Sequence, residues 1–550
     1  MSGGTMNAER LLDLYEQISE APDAIARLRT FVLNLAVRGK VGTGIPEERP
    51  LEKYEINPEW EWLPENWRSL NFGYHCDIQG GNQPPKSQFS SEPKDGYVRL
   101  FQIRDLGSNP VPVYIPENST KRFCKEGEIL IGRYGASVGK IFWAQTGAYN
   151  VALAKFIWPE DALTSEFCFL LLKSDLFQTY LEGASRSAQA GFNKGDLAAV
   201  NFPLPPLAEQ HRIVAKVDEL MALCDRLEEA RKTREEVRDK LTAASLARLT
   251  APETTAEDFP THAAFALEAL PALTTRPDQI KTLRQTILNL AVRGKLVEQD
   301  PADEPGQKLL ERMRHRAEVL RQEAGVRKKK TVAPLDGIDN MGLPKKWSAE
   351  AFANIIDPRA TISYGVLVPG PDVDEGIPFV RAQDLMLSGH PDKPGKVIAH
   401  DIECKYARTR LEGGEILLCV VGSIGKLGIA PKKWAGANIA RAVARIAPME
   451  EISREFTLLF LRSDLAQTYF NEATRTLAQP TLNVGLIEKL PFPIPPLAEQ
   501  HRIVVKVDAL MALCDRLEAA LTTANTTRAR LLEALLHEAL DPAASQENAA

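Results

Sequence analysis

The chain has 550 residues, 44% of them apolar and 25% charged, and 67 basic against 73 acidic side chains leave a formal net charge of −6. These are globular averages, which excludes wholesale disorder and a fibrous fold, and at about 150 residues per domain the length allows three or four domains. An acidic total counts against nucleic-acid binding only if the charge is evenly spread.

The chain opens MSGGTMNAERLLDLYEQ, with no basic segment followed by an apolar core, and no run approaches about 18 apolar residues. The expectation is a cytoplasmic chain without a membrane span. A first helix is predicted over 24–38, ending Arg-Gly-Lys with Gly39 in C-cap position. The stretch after it is short and proline-rich. Residues 58–206 mix β-like runs (98–103, 129–131) with a helix at 166–181, as in an α/β globule. Pro205 and Pro206 suit a first helical turn, and helical composition then persists to about Leu249. Ile213, Val217, Leu220, Cys224 and Leu227 alternate four and three apart, a coiled-coil seam. Such a rod of some 43 residues is roughly 65 Å long.

Residues 250–278 read as a linker. A second short helix at 279–293 again ends Arg-Gly-Lys, at Gly294. Another helix at 307–324 runs into the basic stretch 327–330, read as a solvated linker. Residues 343–496 form a second α/β globule, with strands at 416–421 and 442–446 and a helix at 455–470. A last rod from 497 to about Leu540 carries Ile503, Val507, Leu510, Cys514 and Leu517 at the spacing of the first seam. Pairing of the two rods along these seams is expected.

The chain is a tandem duplication. PLPPLAEQHRIVAKVDELMALCDRLE at 203–228 recurs at 493–518 with three of 26 positions changed, and LRTFVLNLAVRGK at 28–40 recurs at 283–295 as LRQTILNLAVRGK. Between these anchors the globules keep only a skeleton. They share LPENW or LPKKW, an Asp-Leu, Gly-Glu-Ile-Leu, a small-residue turn ending Gly-Lys, Ser-Asp-Leu, Gln-Thr-Tyr, and a later Gln and Asn. Two copies of one scaffold with different surfaces suggest two readers of two different things.

No catalytic constellation stands out. The Gly-Lys turns are not phosphate loops, because Lys140 precedes Ile141 and Lys426 precedes Leu427, where the motif needs Ser or Thr. Seven cysteines without a C-x-x-C pair signal neither a zinc site nor a disulfide framework. By region, 58–206 carries net −2 and 343–496 net +1, leaving −5 for the helical remainder. Near-neutral globules can still have sided faces. Candidate DNA contacts in the first are Lys121, Arg122, Lys125, Arg133, Tyr134, Lys140, Gln189 and Asn193. Those in the second are Arg381, Lys405, Arg408, Arg410, Lys426, Gln479 and Asn483. Lys and Arg suit phosphates, and Asn, Gln and Arg suit base edges.

Anchors of the form P-[LI]-P-P-LAEQHRIV-x-KVD-x-LMALCDRLE after each variable block, with LR-x-x-[IVT]-L-x-LA-x-x-GK-[LV] before it, closely resemble the specificity subunit of type I restriction–modification enzymes. The resemblance covers about 24–541. It implies an α/β (α+β) fold with an internal pseudo-two-fold repeat, in which two target recognition domains are joined by long antiparallel coiled-coil helices. The domains would be 1–57, an N-terminal helical segment; 58–206, target recognition domain 1; 207–342, a central region; 343–496, target recognition domain 2; and 497–550, a C-terminal helix. Each recognition domain would read half of a bipartite, asymmetric double-stranded DNA target, and the helices would set the spacer. The implied partners are two modification (methyltransferase) subunits docked on the repeated helices, and motor–nuclease restriction subunits. The chain itself would be non-catalytic, without metal or cofactor, S-adenosylmethionine, ATP and Mg belonging to those partners. The helix at 307–324 has no counterpart after Gly39, a departure from strict two-fold symmetry. The residues also admit a DNA-reading adaptor of a modification-only or phage-exclusion system, or a coiled-coil protein scaffold.

Overall fold

A computed structural model describes residues 20–41, 48–58, 62–107, 109–184, 191–250, 274–326, 342–474 and 481–540, with a few isolated positions besides. Gln189, Gln479, the basic stretch 327–330 and most of 250–278 lie outside the described residues. The chain divides into two compact units, Met1–Glu235 with Ala524–Ala550, and Glu236–Thr523.

In the first unit, helix α1 (Ala24–Val37) stops at Gly39, whose φ of +67° needs glycine. A Cβ there would lie 2.5 Å from Pro64 Cγ, so the Arg-Gly-Lys end and the LPENW phrase fit as one joint. The globule begins with β1 (Arg68–Asn71) and continues through β2 (Asp77–Gly80), β3 (Tyr97–Phe101), β4 (Tyr114–Pro116), β5 (Phe123–Cys124), β6 (Ile129–Gly132), β7 (Ile141–Trp143), β8 (Gly147–Tyr149) and β9 (Leu153–Ile157). Helices α2 (Ser165–Lys173) and α3 (Asp175–Ala184) follow, and β10 (Asn201–Leu204) closes the block. Strands β1 and β10 pair antiparallel, so the block enters and leaves the scaffold side by side. Between them stand two four-stranded sheets, β2-β9-β6-β7 and β4-β3-β8-β5, with β3 and β8 parallel. Helix α4 (Leu207–Thr250) starts directly after Pro205-Pro206.

The second unit repeats this plan. Helix α5 (Pro277–Val292) ends at Gly294, also at φ +67°, with Pro344 and Trp347 against it. Helix α6 (Gly306–Glu323) follows and buries Leu309, Leu310, Met313 and Leu320. The strands are β11 (Ser348–Ala351), β12 (Ser363–Tyr364), β13 (Ile377–Val380), β14 (Lys396–Ile398), β15 (Ile416–Cys419), β16 (Leu427–Ile429), β17 (Asn438–Ile439) and β18 (Val443–Ile446). Then come α7 (Arg454–Arg462), α8 (Asp464–Thr474), β19 (Pro491–Ile494) and α9 (Leu497–Leu540). The order β12-β18-β15-β16 reproduces β2-β9-β6-β7, and β14-β13-β17 reproduces β4-β3-β8. Among the described residues strand β5 has no counterpart; the Cys404–Thr409 turn lies at that stage of the chain.

Two expectations need correction. The helices expected at 166–181 and 455–470 each break in two, at Ser174 and Ser463, both fully buried with extended backbone. Within each unit the seam residues also belong to the core of the globule. Ile213 and Val217 belong to one apolar core with Val32, Ala36, Trp67 and Phe167, while Ile503, Val507 and Cys514 belong to another with Leu283, Ile287 and Phe456. Each seam thus packs on the short helix and globule of its own unit, and Leu220, Leu227, Leu510 and Leu517 are only half-buried along it. Cys224 is buried as well. The period of 3.5 identified a buried stripe, and a stripe does not name its partner.

Candidate nucleic-acid interface

Most of what the two globules share is framework. Asp105 caps its own turn by accepting from Gln102 N at 2.9 Å, and Asp384 does the same from Arg381 N at 2.8 Å. The Glu of Gly-Glu-Ile-Leu accepts main-chain N–H groups ahead of the strand, Lys125 N at 2.8 Å for Glu128 and Gly413 N at 2.8 Å for Glu415. The Gly-Lys turn is held by the Gln of Gln-Thr-Tyr. Gln178 Nε2 donates to Gly139 O at 2.9 Å and Gln467 Nε2 to Gly425 O at 3.1 Å. Both glycines sit at positive φ, where a Cβ would also strike that glutamine.

The anchors grip the globules at equivalent points. Asn34 of α1 donates to the Asp175 carboxylate at 2.6 Å and accepts from Asp175 N at 3.0 Å, capping α3 from outside. Asn289 does the same to Asp464, at 2.6 and 2.9 Å. Gln210, fully buried, donates to Ala162 O and Pro205 O and accepts from Thr164 N, and Gln500 likewise takes Pro495 O and Ser453 N. Arg29 pairs with Asp225 and Glu228 of its rod, as Arg284 pairs with Asp515 and Glu518. Arg212 docks Glu48, and Arg502 docks Asp303. The near-identity of the anchors is therefore in large part internal packing.

Against this framework the candidate contacts separate. In the first globule Lys121, Lys125 and Lys140 are exposed, and no ion pair to them occurs among the described residues. Arg122 and Tyr134 are half-buried. Arg133 Nε donates to Phe192 O at 2.8 Å, and its guanidinium lies 5.2 Å from the centre of the Tyr134 ring. Asn193 caps the turn that follows it, its Oδ1 accepting from Gly195 N at 2.8 Å.

In the second globule Lys405 and Arg408 are exposed, with no ion pair among the described residues. Arg410 is engaged elsewhere. Its guanidinium donates twice to the buried Glu403, at 3.0 and 2.6 Å, and holds that carboxyl below the ordinary glutamate range. Arg381 pairs with Asp384 inside its own turn, Lys426 donates to Ala382 O at 3.1 Å, and Asn483 caps a helical turn through Leu486 N. These four are framework residues in this fold, as is Asn193. The sequence reading passed over Arg441, exposed at the β17–β18 turn, although aligning the two halves around YNVALAKFI and IARAVARIA would have raised it.

The model of the type I restriction modification DNA specificity domain matches residues 64–236 and 371–524. The chain belongs to this family. The matches end at 236 and 524, where the two compact units also divide, so each takes in the first part of a rod with its globule, the second globule from residue 371 onward. Among relatives, the EcoEI specificity subunit of Escherichia coli is 29% identical over 98% of this chain and 96% of its own length. The EcoBI specificity subunit of the same organism is 26% identical over 87% of this chain and 86% of its own. A chain from a solved type I restriction–modification system, described for complex assembly and conformational transition, covers 87% of this one and 98% of itself at a TM-score of 0.51 and 19% identity, a likeness of fold. The chain is thus a type I specificity subunit, a class that recognises DNA and does no catalysis. Among the described residues no helix is long and apolar enough to cross a membrane, and no cluster of His, Cys, Asp and Glu is placed to hold a metal ion.

Proposed function

We propose that the two globules are target recognition domains, each reading one half of a bipartite, asymmetric DNA sequence, with the rods setting the spacer between half-sites. The observation that carries this reading is the contrast between a framework kept residue by residue and a surrounding exposed surface that largely differs, with Lys121 and Lys125 on one globule and Lys405 and Arg408 on the other. A skeleton serving only structure leaves the remaining surface free to specialise, and two specialised surfaces on one chain suit two different half-sites. Each rod has 44 residues, about 66 Å of helix. That reach is compatible with half-sites one to two helical turns of DNA apart.

Partner docking belongs to the same reading. Leu223 and Leu513 stand exposed at equivalent rod positions, 44% and 37%, beside exposed Ala222 and Arg226 and their repeats Ala512 and Arg516. Internal packing does not account for identity at these exposed positions. The same methyltransferase subunit binding twice would account for it, with S-adenosylmethionine on that subunit and ATP and Mg on motor–nuclease subunits. The setting would be the cytoplasm.

Selection from random duplexes by the full chain at low salt tests the central claim. Enrichment of two short motifs at fixed separation is expected, with affinity falling steeply as salt rises. A chain that enriches nothing and shows no salt slope is a protein scaffold.

A further inference from the structure

The two globules carry a cation at neighbouring but different places on one corner. Asn150 N donates to Phe101 O at 3.0 Å, and Ala440 N to Val380 O at 2.9 Å, which makes Asn150 and Ala440 equivalent and likewise Val151 and Arg441. Arg133 N donates to Ala152 O, and Val420 N to Ala442 O, both at 2.8 Å, which makes Arg133 and Val420 equivalent. The first globule therefore holds Arg133 with Val151, where the second holds Val420 with Arg441. Arginine and valine have exchanged positions across a shared pair of main-chain contacts.

The corner is built alike in both. Gly81 and Gly365 lie so close to the β8–β9 and β17–β18 segments that a Cβ would be 2.0 Å from Asn150 O in one and 1.7 Å from Ile439 O in the other. The loop leaving each glycine is thus pressed against the turn that carries Val151 or Arg441. In the first globule the Arg133 guanidinium lies over Gly80, where a Cβ would come within 2.7 Å of Nη1. In the second, Arg441 N donates to Val366 O at 2.9 Å, and the next two loop residues, Leu367 and Val368, are 52% and 69% exposed. Among the described residues no side-chain hydrogen bond or ion pair engages Arg441. An exposed arginine beside two exposed aliphatic side chains suits the floor of a DNA groove, where a guanidinium meets a guanine edge and apolar groups meet a thymine methyl.

We infer that this corner is the base-reading surface of each globule, with Arg133 the guanine reader of the first half-site and Arg441 that of the second. The inference rests on the DNA-reading function proposed above. The exposed Lys121, Lys125, Lys140, Lys405 and Arg408 then serve as phosphate contacts, and the displaced arginine is one source of the difference between half-sites.

The test is duplex selection by the full chain and its variants, each first matched to the parent by thermal melting. Arg441→Gln is expected to lose a guanine preference of about tenfold at one position of one half-site and to leave the other half-site intact. Arg441→Lys is expected to keep overall affinity within about threefold while relaxing the same position, since lysine keeps the charge without the bidentate fork. Arg133→Gln is expected to act on the other half-site alone. If the parent enriches a bipartite motif and Arg441→Gln leaves it unchanged, or weakens all sequences alike, the corner is not the reader and only this inference falls. If the parent enriches no motif, the DNA-reading function itself falls.

Discussion

Arginine alone says little about what an arginine does. Arg408 and Arg410 lie two positions apart in one short turn, yet Arg408 is exposed and Arg410 is locked onto Glu403. Glu403 also accepts from Asn438 Nδ2 at 3.0 Å, so its carboxylate is buried and paired within the globule. Because Arg410 holds this carboxyl below its ordinary value of 4.5, the pair stabilises the fold above that pH and stops doing so as the pH falls through the lower folded value. Arg410→Ala should therefore lower the melting temperature at pH 7 and approach the parent's melting behaviour as acid protonates Glu403. A melting difference that is constant with pH would disprove the pairing. The sequence showed which residues carry charge. It could not show that one of them faces a buried carboxylate seven positions back, because that depends on how the turn closes.

Helices were legible as helices, and their interruptions were not. Ser-Asp is tolerated inside a helical pattern, and nothing local at Ser174 or Ser463 demands a stop. The break is held by Asn34 and Asn289, which sit on other helices and cap the N–H of Asp175 and Asp464, and by the serine hydroxyls, which donate back to Leu171 O and Phe460 O. Loss of a buried capping partner leaves the aspartate unmatched, at a cost of about 1–3 kcal/mol. Asn34→Ala should show that loss in urea denaturation, and Asn289→Ala a smaller one, since Asn289 is only half-buried. Equal stability of the parent and both variants would show that the clamp contributes nothing. The rod seams teach the same lesson from the other side. Their periodicity located a buried stripe correctly and left open what lies on it.

For the molecule as a whole, the duplication was plain in the sequence, because the anchors repeat almost letter for letter. The sheet order shared by the two globules was not, since β2-β9-β6-β7 and β12-β18-β15-β16 are built from strands with little sequence in common. Shared main-chain pairing survives where side chains have drifted. Replacing residues 68–204 with the corresponding block of a relative should change one half of the selected DNA motif and leave the other half and the spacing as they were. A change in both halves would refute independent readers. Leu223→Asp together with Leu513→Asp should leave the melting temperature within about 1 °C, these being exposed rod positions, and abolish co-purification of the methyltransferase subunit. Retained co-purification would place the docking surface elsewhere. Besides the apolar core they share with each block, the anchors hold it largely by backbone atoms and by Asp175 or Asp464: Gln210 touches the main chain of Ala162, Thr164 and Pro205, and Gln500 that of Ser453 and Pro495. A socket of that kind constrains the buried side of its cargo and leaves the outer surface free. Variation on the outer surface of a reader carries little penalty in folding, so new specificities can arise in one half of the protein while the other half keeps the old one.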